Sequence, residues 1–147
     1  MRTGSEPERQ SPIDCNCLAI RQAARQVTQL YDHHLAGAGL RATQFSVLAR
    51  LERQGPLAIH ALAGSMVMDR TTMGRALRPL ERDGLIAVDA GRDARTRMLR
   101  LTGAGKRRLA KAMPLWRQAQ EEFEAGYGAN EAARLRTALA RIQTANG

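Results

Sequence analysis

From Cys17 onward, Cys17, Ile20, Ala24, Val27 and Tyr31 recur at alternating steps of three and four. This is the stripe of an amphipathic helix, and it predicts a first helix that runs out near Gly37 and Gly39. Phe45, Leu48 and Leu51 form the next stripe, with Thr43 as its expected cap and Gly55-Pro56 as its stop, because proline has no amide proton to continue the ladder. A short third helix is expected over 59–66. Asp69 then holds an N-cap position ahead of Met73, Ala76, Leu77 and Leu80, and Gly84 is placed to end this fourth helix as a left-handed C′ residue. Pro79 falls inside it and is expected to kink or shift the last turn.

The period then changes. Runs 85–90 and 97–101 are short and β-like, and they flank Gly91-Arg92-Asp93-Ala94-Arg95-Thr96, which reads as a hairpin with charged residues at its tip. Thr102 is placed to cap a long fifth helix with Leu109, Met113, Trp116, Gln120, Phe123 and Tyr127 at heptad-like steps. After Gly126 and Gly128 a sixth helix carries Leu135, Leu139 and Ile142. A small core cannot cover both terminal stripes, so an oligomer is expected. Residues 1–12 contain Gly4, Pro7 and Pro12 without periodicity and read as a flexible arm.

Charge adds what periodicity leaves open. The 147 residues are 44% hydrophobic and 25% charged, the balance of one folded domain. Lys plus Arg number 23 against 14 Asp plus Glu, a net +9 that favours a polyanionic partner. Only Lys106 and Lys111 are lysines, so the arginine richness reads first as genome bias, and location carries the information. Residues 66–108 hold eleven basic and five acidic side chains, so two-thirds of the net charge lies on the fourth helix, the hairpin and the start of the fifth helix. Two short helices, a basic helix and a hairpin make a winged helix-turn-helix: a mainly α fold with a small β-hairpin wing (α+β), in which one helix enters the major groove and the loop reaches backbone or minor groove. No apolar run is long enough to span a membrane and the N-terminus has no signal-like stretch, so a cytoplasmic protein without membrane partners is expected.

The segments Gln44-Phe45-Ser46-Val47-Leu48, Leu62-Ala63, Asp69-Arg70-Thr71-Thr72, Leu80-Glu81-Arg82-Asp83-Gly84-Leu85-Ile86, Asp93-Ala94-Arg95 and Leu101-Thr102-x-x-Gly105 resemble the MarR family of bacterial transcription regulators over about residues 15–145. The resemblance implies a homodimer held by its first and last helices, bound to a pseudo-palindromic operator on double-stranded DNA and released by a small molecule or an oxidant. The expected organisation is then an arm (1–12), a helical dimerisation region (13–40 and 102–147) and a DNA-binding lobe (41–101). Arg70, Thr71, Thr72, Arg75 and Arg78 are the expected major-groove side chains, since arginine forks onto guanine and threonine meets a thymine methyl or a phosphate. The competing reading is that Thr71 or Thr72 only satisfies backbone groups in the first helical turn. At the wing, Arg95 matches the family's minor-groove arginine and Asp93 the acid that holds it, while Arg92 and Arg97 are expected on phosphates.

Two effector readings remain. Cys17 matches the peroxidatic cysteine of the hydroperoxide-sensing branch and Tyr31 one of the tyrosines that bond it, with Ala42 in place of the other. Cys17 also fits the apolar stripe and reads as a buried structural cysteine. The other reading is a small-molecule cleft, as the resemblance implies for phenolic, aromatic-acid or acyl-thioester ligands, lined by Arg25, Tyr31, His34, Met66, Met68 and Trp116. The same residues fit a dimer core. Cys15 and Cys17 are too close for a structural disulfide within a helix, which suggests a reducing compartment. His33, His34 and His60 make no ligand set, so neither a metal nor a cofactor is expected. Nucleophile elbows, phosphate loops and paired carboxylates are missing from the sequence, which argues against an enzyme. A nucleic-acid-coating protein without sequence choice is the competing class.

Overall fold

A computed structural model describes residues 11–93 and 96–145. After a single 3-10 turn (Pro12–Asp14), α1 (Asn16–Leu35) ends near the predicted glycines. The next helix, α2 (Ala42–Gln54), starts one residue before Thr43, so Thr43 is not its cap. The Ala42 amide instead donates to Asp32 Oδ1 on α1 at 2.7 Å, and the Arg41 amide donates to Gln44 Oε1 at 3.0 Å. A carboxylate from another helix thus satisfies an amide that α2 cannot satisfy itself.

Next come β1 (Leu57–Ala58), α3 (Ile59–Ser65) and α4 (Arg70–Arg82). Asp69 is the N-cap of α4, accepting from the Thr72 amide at 2.7 Å, and Gly84 takes φ 72° just past its end. Pro79 lies inside α4, which continues through it to Arg82. One missing bond and the ring's clash cost about 3 kcal/mol, whereas each of Met73, Leu77 and Leu80, buried on the inner face, contributes about 1.5–3 kcal/mol.

The wing is β2 (Ile86–Asp89) and β3 (Met98–Leu101). These strands and β1 form an antiparallel sheet in the order β1-β3-β2, with Leu99 opposite both Leu57 and Val88. The short strand β1 was not foreseen. α5 (Gly103–Tyr127), capped by Thr102 and continuous through Pro114, and α6 (Ala129–Ala145) complete the chain.

Leu35, Val47, Leu48, Leu62, Met73, Leu80 and Leu99 are wholly buried, so the core sits where the end of α1 meets α2, α3, α4 and β3. Phe45 stacks on Trp116 at 5.9 Å and joins α2 to α5. Tyr31 and His34 of α1 bond Gln120 and Glu122 of α5. Leu18 and Ile20 on α1 and Leu139 and Ile142 on α6 stay exposed. Beside them runs an apolar groove of about 480 Å³ lined by Val27, Phe123 and Leu135. Among the described residues, no helix is long and apolar enough to cross a membrane.

Candidate nucleic-acid interface

α4 is two-faced because its apolar residues recur at helical spacing. Met73, Leu77 and Leu80 turn inward, leaving Arg70, Thr71, Thr72, Arg75 and Arg78 exposed. Thr71, Arg75, Arg78 and Arg82 succeed one another at steps of four, three and four and share one face. The Thr72 hydroxyl is engaged locally, donating to Asp69 Oδ2 at 3.0 Å. The hydrogen bond from the Thr72 amide, then that from its hydroxyl, holds the Asp69 carboxyl below the usual carboxylate range. Asp69 therefore stays ionised at the helix N-terminus and fixes the first turn, while Thr71 remains exposed beside the arginines.

At the wing, Arg92, Asp93 and Arg97 are exposed. Asp93 Oδ1 accepts from the Thr96 amide at 3.1 Å, and the Asp93 amide donates to Thr96 Oγ1 at 3.0 Å, so these two residues bracket the tip. Arg95 lies outside the described residues, as do residues 1–10 of the expected arm. Arg78 of α4 and Arg97 of the wing line one cavity of about 380 Å³, floored by Leu77, Val88 and Leu99. The fold thus brings together arginines nineteen positions apart. Arg100 is held aside by Asp89, Nε to Oδ2 3.3 Å.

The six residues expected to line one effector cleft are divided. Met66 and Trp116 line a cavity of about 720 Å³ between α2, the α3–α4 turn and α5. Tyr31 lies in the separate apolar groove, His34 is paired with Glu122 (2.5 Å), Met68 packs against the core and Arg25 is exposed on α1. Helical period assigns a side chain to a face, not to a neighbour, which is why a single cleft was inferred. Phe45, Arg50, Arg53 and Met113, which sequence reasoning missed, also line the larger cavity. Their signal was present as Ser46, Ala49, Arg50 and Arg53 on one side of α2.

Both cysteines are free and exposed, so the expectation of a buried Cys17 is corrected. The stripe that contains Cys17 lies outside the core of the single chain at this end of α1. Tyr31 bonds Gln120, and fourteen helical residues put it about 21 Å from Cys17 along the same chain. Among the described residues, no three His, Cys, Asp or Glu side chains gather as a metal site.

The sequence model of the MarR family matches residues 40–95, from two residues before α2 to the wing tip. Two crystal structures of the M. tuberculosis transcriptional regulator MosR, the first in complex with DNA, share 41% and 38% identity with this chain. Each superposes with a TM-score of 0.80, covering 90% of this chain and 96% of the other. The chain belongs to the MarR family. A probable transcriptional regulator from Pseudomonas aeruginosa is similar at 28% identity and a TM-score of 0.78, over 90% of this chain and 99% of that one. No curated protein matches in sequence. As a MarR-family protein, the chain is a DNA-binding regulator of transcription rather than an enzyme. The winged-helix expectation is borne out by the fold.

Proposed function

We propose that this MarR-family protein is a homodimeric repressor that lays two α4 helices in successive major grooves of a pseudo-palindromic operator. The observation that carries the reading is the outward α4 face of Thr71, Arg75 and Arg78 opposite the buried Met73, Leu77 and Leu80. Arg70 and Thr72 flank it, and Arg92, Asp93, Arg95 and Arg97 supply the wing's contacts. The similarity to MosR, whose structure is in complex with DNA, supports DNA binding by this chain. The exposed apolar side chains of residues 13–40 and 102–147 support dimerisation through the terminal helices around the lobe 41–101, because such a stripe is costly to leave in water. The protein would meet its DNA in the cytoplasm.

Release is assigned to a small effector with an aromatic, phenolic or acyl body. The cavity of about 720 Å³ suits one: stacked Phe45 and Trp116 with Met66 and Met113 cover an apolar body, and Arg50 and Arg53 meet a carboxylate or phenolate. A second reading, release by oxidation of Cys17, is favoured by the exposure of that thiol.

Binding to palindromic and random DNA across a salt series tests the operator reading, with an expected affinity ratio of at least about 10³. Arg75→Ala is expected to weaken specific binding by about 1–3 kcal/mol and leave the dimer intact. A ratio near one refutes sequence-specific repression. Trp116 is the only tryptophan, so its fluorescence reports titration with aromatic carboxylates, which Arg50→Ala should weaken. Peroxide release that persists in Cys17→Ser eliminates the redox reading.

A further inference from the structure

The Thr102 hydroxyl does two things at once. It caps α5 by accepting from the Gly105 amide at 3.0 Å, and it donates to the Gly84 carbonyl at 2.6 Å, just past the end of α4. The Thr102 amide donates to the Leu85 carbonyl at 3.1 Å, and the Leu85 amide reaches back to Leu80 in α4 at 2.9 Å. Gly105 permits this approach: a Cβ there would stand 2.1 Å from the Leu85 carbonyl oxygen and 2.6 Å from Leu101 Cδ1. The last turn of α4, the start of β2, the end of β3 and the first turn of α5 therefore meet at one node.

Apolar packing beneath α4 supplies affinity between elements but little direction, whereas a hydrogen bond is directional. We propose that Thr102 is a positioning residue for DNA recognition, its hydroxyl setting the angle of α4 against α5 and hence the separation of the two reading helices. This rests on the homodimeric operator reading. The lever is long. α5 has 25 residues, about 37 Å at 1.5 Å per residue, so a rotation of about 5° at the node displaces the far end by about 3 Å. That is close to the rise of one base pair, about 3.4 Å.

Capping and tying separate chemically. Thr102→Asp keeps an oxygen for the Gly105 amide but has no proton for the Gly84 carbonyl, while Thr102→Ser keeps both bonds. Each variant is combined with Glu81→Cys on α4 and Arg117→Cys on α5, in a Cys15→Ser, Cys17→Ser background, with labelled chains diluted into unlabelled ones. Pulsed electron paramagnetic resonance then measures the α4–α5 distance, and operators with half-sites moved by one or two base pairs measure spacing preference.

In Thr102→Asp, the melting temperature is expected to fall by no more than a few degrees, the distance distribution to shift or broaden, and discrimination between spacings to fall by about tenfold. Affinity for random DNA should stay within about twofold, since the phosphate contacts are unchanged. Thr102→Ser should match the wild type. An unchanged distance and spacing profile in Thr102→Asp overturns the proposal, as does a Thr102→Ser that moves as far as Asp. If Thr102→Asp does not fold, Thr102→Val decides instead: it keeps the branched shape and removes the hydroxyl, so it should shift the same distance, and an unchanged distance and spacing profile overturns the proposal. Wild-type protein indifferent to half-site spacing refutes the operator reading, and the label distances then judge Thr102 alone.

Discussion

Replacing Val67 by glycine tests whether the turn ahead of α4 stores backbone strain. Three helical segments close with the same pair of bonds: Gly39 to Ala36 with Leu40 to Leu35, Gly84 to Glu81 with Leu85 to Leu80, and Val67 to Gly64 with Met68 to Ala63. The residue at the reversal is left-handed each time, with φ 69°, 72° and 53°. Glycine adopts that conformation freely, but for a β-branched side chain it costs about 1–3 kcal/mol. Val67 is 73% exposed, so truncation gives up little burial. Against the relief stands the freedom glycine adds to the unfolded chain, about 0.5–1 kcal/mol. The net expectation is about 1 kcal/mol of stabilisation, or a rise of about 3–4 °C in Tm for a chain of this length.

Thermal and urea melts at matched protein concentration measure it, because dimerisation would otherwise shift the midpoint. Gly84→Val is the reciprocal experiment. No atom lies within 4 Å of a Cβ built there, so its cost is conformational alone and is expected near about 2 kcal/mol. A Val67→Gly protein that melts no higher than the wild type refutes the strain argument.

Asp32→Ala should cost about 1 kcal/mol in urea unfolding, because the Ala42 amide loses its acceptor; a change under about 0.3 kcal/mol would show that water replaces it. For Asp69 the sign comes from a carboxyl whose value is lower in the folded chain. Its contribution is complete above the ordinary value of 3.8 and fades as pH falls through the lowered one, so the stability gap to Asp69→Ala should close at acid pH; a pH-independent gap contradicts this. Burial first, then Glu124, raises the Tyr31 phenol, with Arg136 opposing. The stability this contributes is complete below the ordinary 10.0 and is lost as pH rises through the raised value, a decline that alkaline melts should find missing in Tyr31→Phe. The lost Gln120 bond should cost that variant about 1 kcal/mol near neutrality.

Asp69, Gly84 and Thr102 stand at their helix ends where sequence reading put them, because a cap acts on amides two or three residues away and its chemistry is written locally. The alternation of Met73, Leu77 and Leu80 with arginines likewise settled which side of α4 turns inward. Those signals sufficed for the order of elements, the winged helix and the exposed basic face of α4. Other features required chain closure. Leu57–Ala58 becomes a strand only because β3, some forty residues later, supplies its partners, and Asp32 becomes a cap only when α1 lies across the start of α2. The same closure separates Tyr31 from Trp116, brings Arg50 and Arg53 to the cavity that tryptophan lines, and leaves Cys17 outside the chain's own core. A local signal is an energy among residues within one turn, present before folding. Which faces meet depends on the packing of all the elements together, and no short window of sequence contains it.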